Sequence, residues 1–163
     1  MVKTFFCLSI CASAGVDDEL LVATPPRLQR VTIVVNTGSS TTDLNQKALD
    51  ELAPLLRSRL PVIFALNGIS VDPAGTPNVK SMALTIQPNK ASVSGSRSYI
   101  DFRTSLYSPE LQKQIWKGSL DIGYSHRFRE CDDKTADGMA LKLLKQLRQD
   151  ELISRGVSLR APQ

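Results

Sequence analysis

The sequence predicts an α+β fold, a two-layer sandwich with a four-stranded, mostly antiparallel sheet and two helices on one of its faces. The expected order is β-α-β-β-β-α. Three observations predict it. Val31-Thr-Ile-Val-Val35 is a β-branched run of the kind that suits a pleated strand. Two leucine-rich stretches, after Asp43 and after Lys134, repeat apolar residues at helical spacing. Between them, three stretches from Met82 to Tyr124 alternate apolar and polar residues, the habit of strands with one buried and one wet face.

The elements follow in order. Val31–Val35 is apolar on both sides, which places it inside a sheet or under cover on both faces. Asn36-Thr-Gly-Ser-Ser-Thr-Thr42 ends it as a loop. Asp43 with Gln46 three residues on has the form of a capping box. Leu44, Ala48, Leu52, Leu55, Leu56, Leu60, Ile63 and Leu66 then follow at helical spacing. Pro54 and Pro61 interrupt that phase, and a proline inside a helix costs about 3 kcal/mol. The expectation is one helix kinked near Pro54, or two in line with Pro61 starting the second. Asn67-Gly68 is its stop.

Met82, Leu84 and Ile86 mark the next strand. Ile100, Phe102, Thr104 and Leu106 alternate with Tyr99, Asp101, Arg103 and Ser105 in the one after it. Trp116, Leu120, Ile122 and Tyr124 share a face of the third. Gln87-Pro88-Asn89 and Ser108-Pro109-Glu110 are the turn signals. Lys134–Gln149 closes the domain as an amphipathic helix with Met139, Leu143 and Leu147 on one face, joined by Ala140, Leu141 and Leu144. The chain divides into an export signal (1–14), a linker with Pro25-Pro26 (15–27), one domain (28–153) and a flexible tail (154–163).

The export reading rests on Lys3, an apolar core from Thr4 to Cys11, and the small residues Ala12 and Ala14 before Gly15. That is a charged n-region, an apolar h-region and a small-x-small cleavage site, at the lower limit of about 15 residues. Leu8-Ser9-Ile10-Cys11 also resembles a bacterial lipobox, which would make Cys11 a lipid-carrying residue. Ile10 is bulkier than the small residue that pattern wants. The competing reading makes Thr4–Cys11 a buried strand. The run is too short to span a membrane as a helix.

Composition is that of an ordinary globular domain, 42% apolar and 22% charged. Three cysteines form neither a disulfide framework nor a zinc pattern. The net charge of +4 is scattered over Arg27 and Arg30, Arg57 and Arg59, Arg127 and Arg129, Lys142 and Lys145. Nucleic-acid binders gather such charge into a patch or stripe, so nucleic acid is disfavoured as a partner.

No catalytic, cofactor or metal constellation emerges. His126 is the sole histidine and lacks the partners a general base or metal ligand needs. Cys131 lies between Glu130 and Asp132, company that raises a thiol pKa. Asp132, Asp133 and Asp137 lack the spacing of a calcium loop and suit the start of a helix instead. The loop 36–42 has neither a Walker lysine nor a Gly-x-Gly-x-x-Gly spacing. Ser9, Ser39 and Ser40 have no nucleophile elbow around them. Tyr99, Trp116 and Tyr124 are the candidate interaction residues, since aromatics on a sheet can serve recognition; the competing and plainer reading has these rings filling the core or the sheet surface.

The strand, the proline-interrupted helix ending Asn67-Gly68, the meander with Ile115-Trp116-Lys117-Gly118 and the final leucine-rich helix together resemble small uncharacterised proteobacterial periplasmic proteins and lipoproteins. The resemblance covers Arg30 to Ile153. It implies a periplasmic or outer-membrane-associated location and carries no catalytic residues. The expected function is an exported, non-enzymatic domain without cofactor, anchored through Cys11 or free, that binds a protein or envelope component. The alternative is a cytoplasmic module for nucleic acid or another anion.

Overall fold

In the computed structural model, which describes residues 27–37, 43–73, 80–94, 97–125, 132–154 and 158–162, the β-branched run forms strand β1 (Arg30–Val35). Helix α1 (Asp43–Leu66) follows, then a short strand β2 (Ser70–Asp72). Three long strands, β3 (Met82–Ser94), β4 (Arg97–Ser108) and β5 (Lys113–Ser125), lead to helix α2 (Asp133–Gln149).

The sheet order is β2-β1-β3-β4-β5. β1 pairs parallel with β2 and with β3, while β3–β4 and β4–β5 are antiparallel. The α+β class holds, but the expected four-stranded, mostly antiparallel sheet is corrected to a five-stranded mixed one. The missed strand is β2. At three residues it is too short to show any alternation, and it is a strand because it pairs with β1 from Arg30↔Ser70 to Thr32↔Asp72, with Ser70 N–H donating to Gln29 O at 2.9 Å.

α1 runs as one helix through both prolines. It buries Leu49, Leu52, Leu56, Leu60, Ile63 and Phe64 together with Ala53. Six large side chains at roughly 1.5–3 kcal/mol each outweigh two prolines at about 3 kcal/mol each. Pro54 is exposed and Pro61 half-buried, so neither ring displaces the core. Leu66, expected on the buried face, is 44% exposed, because the period set by Leu52, Leu56, Leu60 and Ile63 passes it by. Gln46 is seen donating to Asp50 Oδ1 at 2.9 Å; the Asp43 half of the expected capping box lies outside the described side chains.

The Asn67-Gly68 stop takes the form of a Schellman motif. Gly68 adopts φ +78°, its N–H bonds Ala65 O at 3.0 Å, and Ile69 N–H bonds Phe64 O at 3.0 Å. α2 ends in the same pattern without a glycine. Glu151 takes φ +63°, its N–H reaches Arg148 O at 3.2 Å, and Leu152 N–H reaches Leu147 O at 2.9 Å.

Gln87-Pro88-Asn89 is not a turn. β3 continues through it, and the register shift between Pro88 and Lys90 makes Asn89 a bulge. β1 has already ended opposite Ile86, so Pro88 lies where β3 has no neighbour on that side and its missing N–H breaks no ladder bond. Ser108-Pro109-Glu110 does turn the chain, over residues 109–112.

The core is one layer between sheet and helices. Val31, Ile33 and Val35 of β1, Leu84 and Ile86 of β3, Ile100, Phe102 and Leu106 of β4, and Trp116, Leu120 and Ile122 of β5 meet α1 and α2 there. From α2 come Met139, Ala140, Leu143, Leu144 and Leu147, as its spacing predicts, together with Ala136, while Leu141 is only partly buried. Leu28 N–H donates to Leu152 O at 2.7 Å, tying the two ends of the domain together. Within the expected tail, residues 158–162 lie against the domain. Asn67 Nδ2 donates to Arg160 O and Asn67 Oδ1 accepts from Arg160 N, each at 3.0 Å, while Leu159 packs on the core.

Candidate interaction surface

Since both helices cover one face, strand alternation leaves the other without cover from the described elements. On it, β4 presents Tyr99, Asp101, Arg103, Ser105 and Tyr107, the residues between its buried Ile100, Phe102, Thr104 and Leu106. Tyr99 is 42% exposed, Tyr107 41% and Val34 of β1 38%. Tyr99 and Tyr107 lie eight positions apart, about 27 Å along an extended strand.

Each tyrosine has a local reason for its place. Tyr99 stands opposite Gly123, and a Cβ there would lie 3.4 Å from Tyr99 Cε1. The ring therefore covers the bare backbone of the neighbouring strand, a cross-strand pairing that shields a glycine. Tyr107 sits beside a second irregularity, the register shift between Leu106 and Tyr107 that makes Ile115 of β5 a bulge. Between the two rings lies a polar knot made by the other bulge. Asn89 Nδ2 donates to Asp101 Oδ2 at 3.0 Å, and Asn89 Oδ1 accepts from Arg103 Nη2 at 2.9 Å.

The three aromatics picked from sequence are not brought together. Trp116, expected on the interaction surface, is only 9% exposed and lies on the covered face, with its indole N–H on Asp150 Oδ2 at 2.6 Å. Strand alternation decides this, because Trp116 shares its side of β5 with Leu120 and Ile122. Tyr124 pairs with Ser98 near the end of β5, and its side chain lies outside the described set. Tyr107 was missed, although it continues the alternation that singled out Tyr99. Asn89 was hidden inside an apparent turn.

One edge of the sheet, β5, is partly capped by α2. Edge strands expose unpaired backbone groups that invite another chain. On β5, Gln146 Nε2 of α2 donates to Ser119 O at 2.9 Å, and Lys142 Nζ reaches Asp121 O at 3.4 Å and Asp121 Oδ1 at 2.6 Å. The Lys142 hydrogen bond holds the Asp121 carboxyl below the usual range.

The acidic cluster near α2 resolves into helix electrostatics and an interhelical tie. Asp132 caps α2, accepting from Thr135 N–H and from Thr135 Oγ1, both at 2.8 Å. These bonds, the hydroxyl's above all, lower its pKa. Asp137 receives a fork from Arg59 of α1, at 2.7 Å from Nε and 2.6 Å from Nη2, with Asp133 at 3.6 Å from Nη1. The bond to Asp137 raises the Arg59 pKa further. Cys11, Ser9, Ser39, Ser40, His126 and Cys131 lie outside the described residues. Among the described residues no group of three or more His, Cys, Asp or Glu could hold a metal ion, and no helix is long and apolar enough to cross a membrane.

No protein-family model matches the chain, and no curated protein matches it. Solved structures similar to it include a PelC dodecamer from Paraburkholderia phytofirmans, at 14% identity over 74% of this chain and 87% of that one, with a TM-score of 0.43. A minor lipoprotein from Acinetobacter baumannii is 11% identical over 79% of this chain and 97% of that one, with a TM-score of 0.42. A lipoprotein from Neisseria meningitidis is 15% identical over 76% and 99%, with a TM-score of 0.38. Proteobacterial lipoproteins, the resemblance read from the sequence, are thus among the similar structures.

Proposed function

We propose that the chain is an exported, non-enzymatic binding domain of the bacterial envelope that offers its uncovered sheet face to a protein or envelope component. The one-sidedness of the fold carries this reading. Two helices bury one face of the sheet, while Tyr99, Tyr107 and Val34 stand exposed on the other. Tyrosine is enriched where surfaces recognise one another. The pattern of Lys3, the apolar run to Cys11 and Ala12-Ser-Ala14 supports export, with Cys11 as the anchor if it is acylated.

Two measurements on the full chain in a Gram-negative host test the proposal. Mass spectrometry of the N-terminus should find a chain beginning at Gly15 or a lipidated Cys11; an intact Met1 in the cytosol would sink the export reading. A photo-crosslinking residue at position 99 or 107 should give one discrete adduct, absent when it replaces the α2 surface residue Lys145. Equal adducts from all three positions would remove the sheet face as the binding surface.

A further inference from the structure

At the end of the sheet where β1, β2 and β3 all begin, the fold forms a cleft of about 610 Å³ lined by Arg27, Gln29, Arg30, Ser70, Lys80, Met82 and Glu110. We infer that this cleft is a binding site for a phosphate-bearing anion, separate from the open sheet face. Four segments of the chain line it, and two of them supply its positive charge. Arg27 and Arg30 flank the start of β1, and Lys80 lies just ahead of β3. Among the described lining residues these three cations meet one carboxylate, Glu110 from the β4–β5 turn, with Asp72 beside Arg30 just outside the lining.

The donor set suits phosphate. Arginine presents a planar fork matched to phosphate oxygens, and lysine adds a mobile point charge. Ser70 and Gln29 supply neutral hydrogen-bonding side chains, and the volume lies in the range of small-ligand pockets, about 300–1,000 Å³. Arg30 is only loosely held elsewhere: its Nε lies 3.9 Å from Asp72 Oδ1 and its side chain is 49% exposed, an arrangement worth little in water. The position of Arg27 is set by its neighbour, since Leu28 is buried and its N–H is bonded to Leu152 O. Cleft walls that gather one sign of charge also raise the local concentration of the opposite ion.

The phosphate can come from a soluble phosphomonoester or from a lipid headgroup, and the test separates them. The full chain is titrated with sn-glycerol 3-phosphate against sodium chloride at matched ionic strength, and floated with vesicles of phosphatidylglycerol or of phosphatidylcholine alone. Saturable binding of the soluble ester, or selective flotation with the anionic vesicles, is expected. Arg27→Glu and Lys80→Glu should each weaken it about tenfold or more, the scale of one charge-assisted hydrogen bond. Lys145→Glu makes the same change of net charge on the exposed side of α2 and should leave binding unchanged. Thermal melts check that each variant folds, with Arg27→Gln and Lys80→Gln standing in for any that does not. Failure of both probes to saturate, or equal weakening by Lys145→Glu, would overturn the site. Neither outcome touches the sheet face, which the crosslinks at positions 99 and 107 report separately.

Discussion

The indole N–H of Trp116 donates to the carboxylate of Asp150 at 2.6 Å, joining edge strand β5 to the C-terminal cap of α2. A carboxylate is poorly placed at that end of a helix, where the dipole is negative, so this hydrogen bond gives it a reason to be there. Asp150→Ala should cost about 1–3 kcal/mol, the penalty for leaving a buried donor unsatisfied. Asp150→Asn keeps an acceptor and removes the charge, so it should stay near the parent. Urea unfolding followed by the fluorescence of Trp116, the single tryptophan, reads both. An unchanged midpoint for Asp150→Ala would show the bond contributes nothing net.

Gly118 leaves room for that indole to lie flat. A Cβ there would stand 2.5 Å from Trp116 Cη2, 2.6 Å from Cζ2 and 2.9 Å from Thr104 Oγ1. Gly118→Ala should therefore destabilise by about 3 kcal/mol through overpacking. Gly138, inside α2, has open space where a methyl would stand, with nothing within 4 Å, so Gly138→Ala should stabilise by about 1 kcal/mol. Opposite signs from one substitution type, read by thermal or chemical melts, separate the two environments.

Thr104 is fully buried, and its hydroxyl finds no hydrogen-bond partner among the described residues. Thr104→Val keeps the shape and removes the unsatisfied group, so it should be neutral or stabilising by about 1 kcal/mol. A loss of stability in the same melts would mean that the hydroxyl has a partner after all.

The cap of α2 gives a signed pH dependence. Asp132 has its carboxyl lowered by Thr135, mainly through the side-chain hydroxyl. A depressed carboxyl contributes stability above its unfolded pKa and loses it as pH falls through the lower folded value. The loss should therefore begin below about pH 4, the ordinary aspartate range. Asp132→Asn, which retains an acceptor oxygen, should flatten the acid limb of stability against pH. If the two limbs superimpose in urea titrations, the cap carries no proton linkage.

Gln112 turns the chain between β4 and β5 at φ +49°, a conformation that costs an L-residue about 1–2 kcal/mol. It is exposed, so Gln112→Gly should raise stability by about 0.5–1 kcal/mol after the added freedom of the unfolded chain is allowed for. Gln112→Val should lower it, and a reversed order would contradict the backbone argument.

Local periodicity determined much of this protein from sequence alone. Strict alternation placed Ile100, Phe102, Thr104 and Leu106 on one side of β4 and Tyr99 on the other. Helical spacing gave α2 its buried face, and Asn67-Gly68 ended α1, because each of these signals resides in neighbouring residues. Only the tertiary structure decided the rest. β2 is a strand because β1 lies beside it, and Pro88 continues β3 because β1 has stopped just before it. Alternation set Trp116 on the side of Leu120 and Ile122, but only the fold laid α2 over that side and brought Asp150 to the indole N–H. The cleft of Arg27, Arg30 and Lys80 had no local signal at all, for it depends on three strands starting at the same end of the sheet. Pattern records what a residue does to its own segment, whereas pairing, cover and convergence of charge belong to segments that meet only when the chain folds.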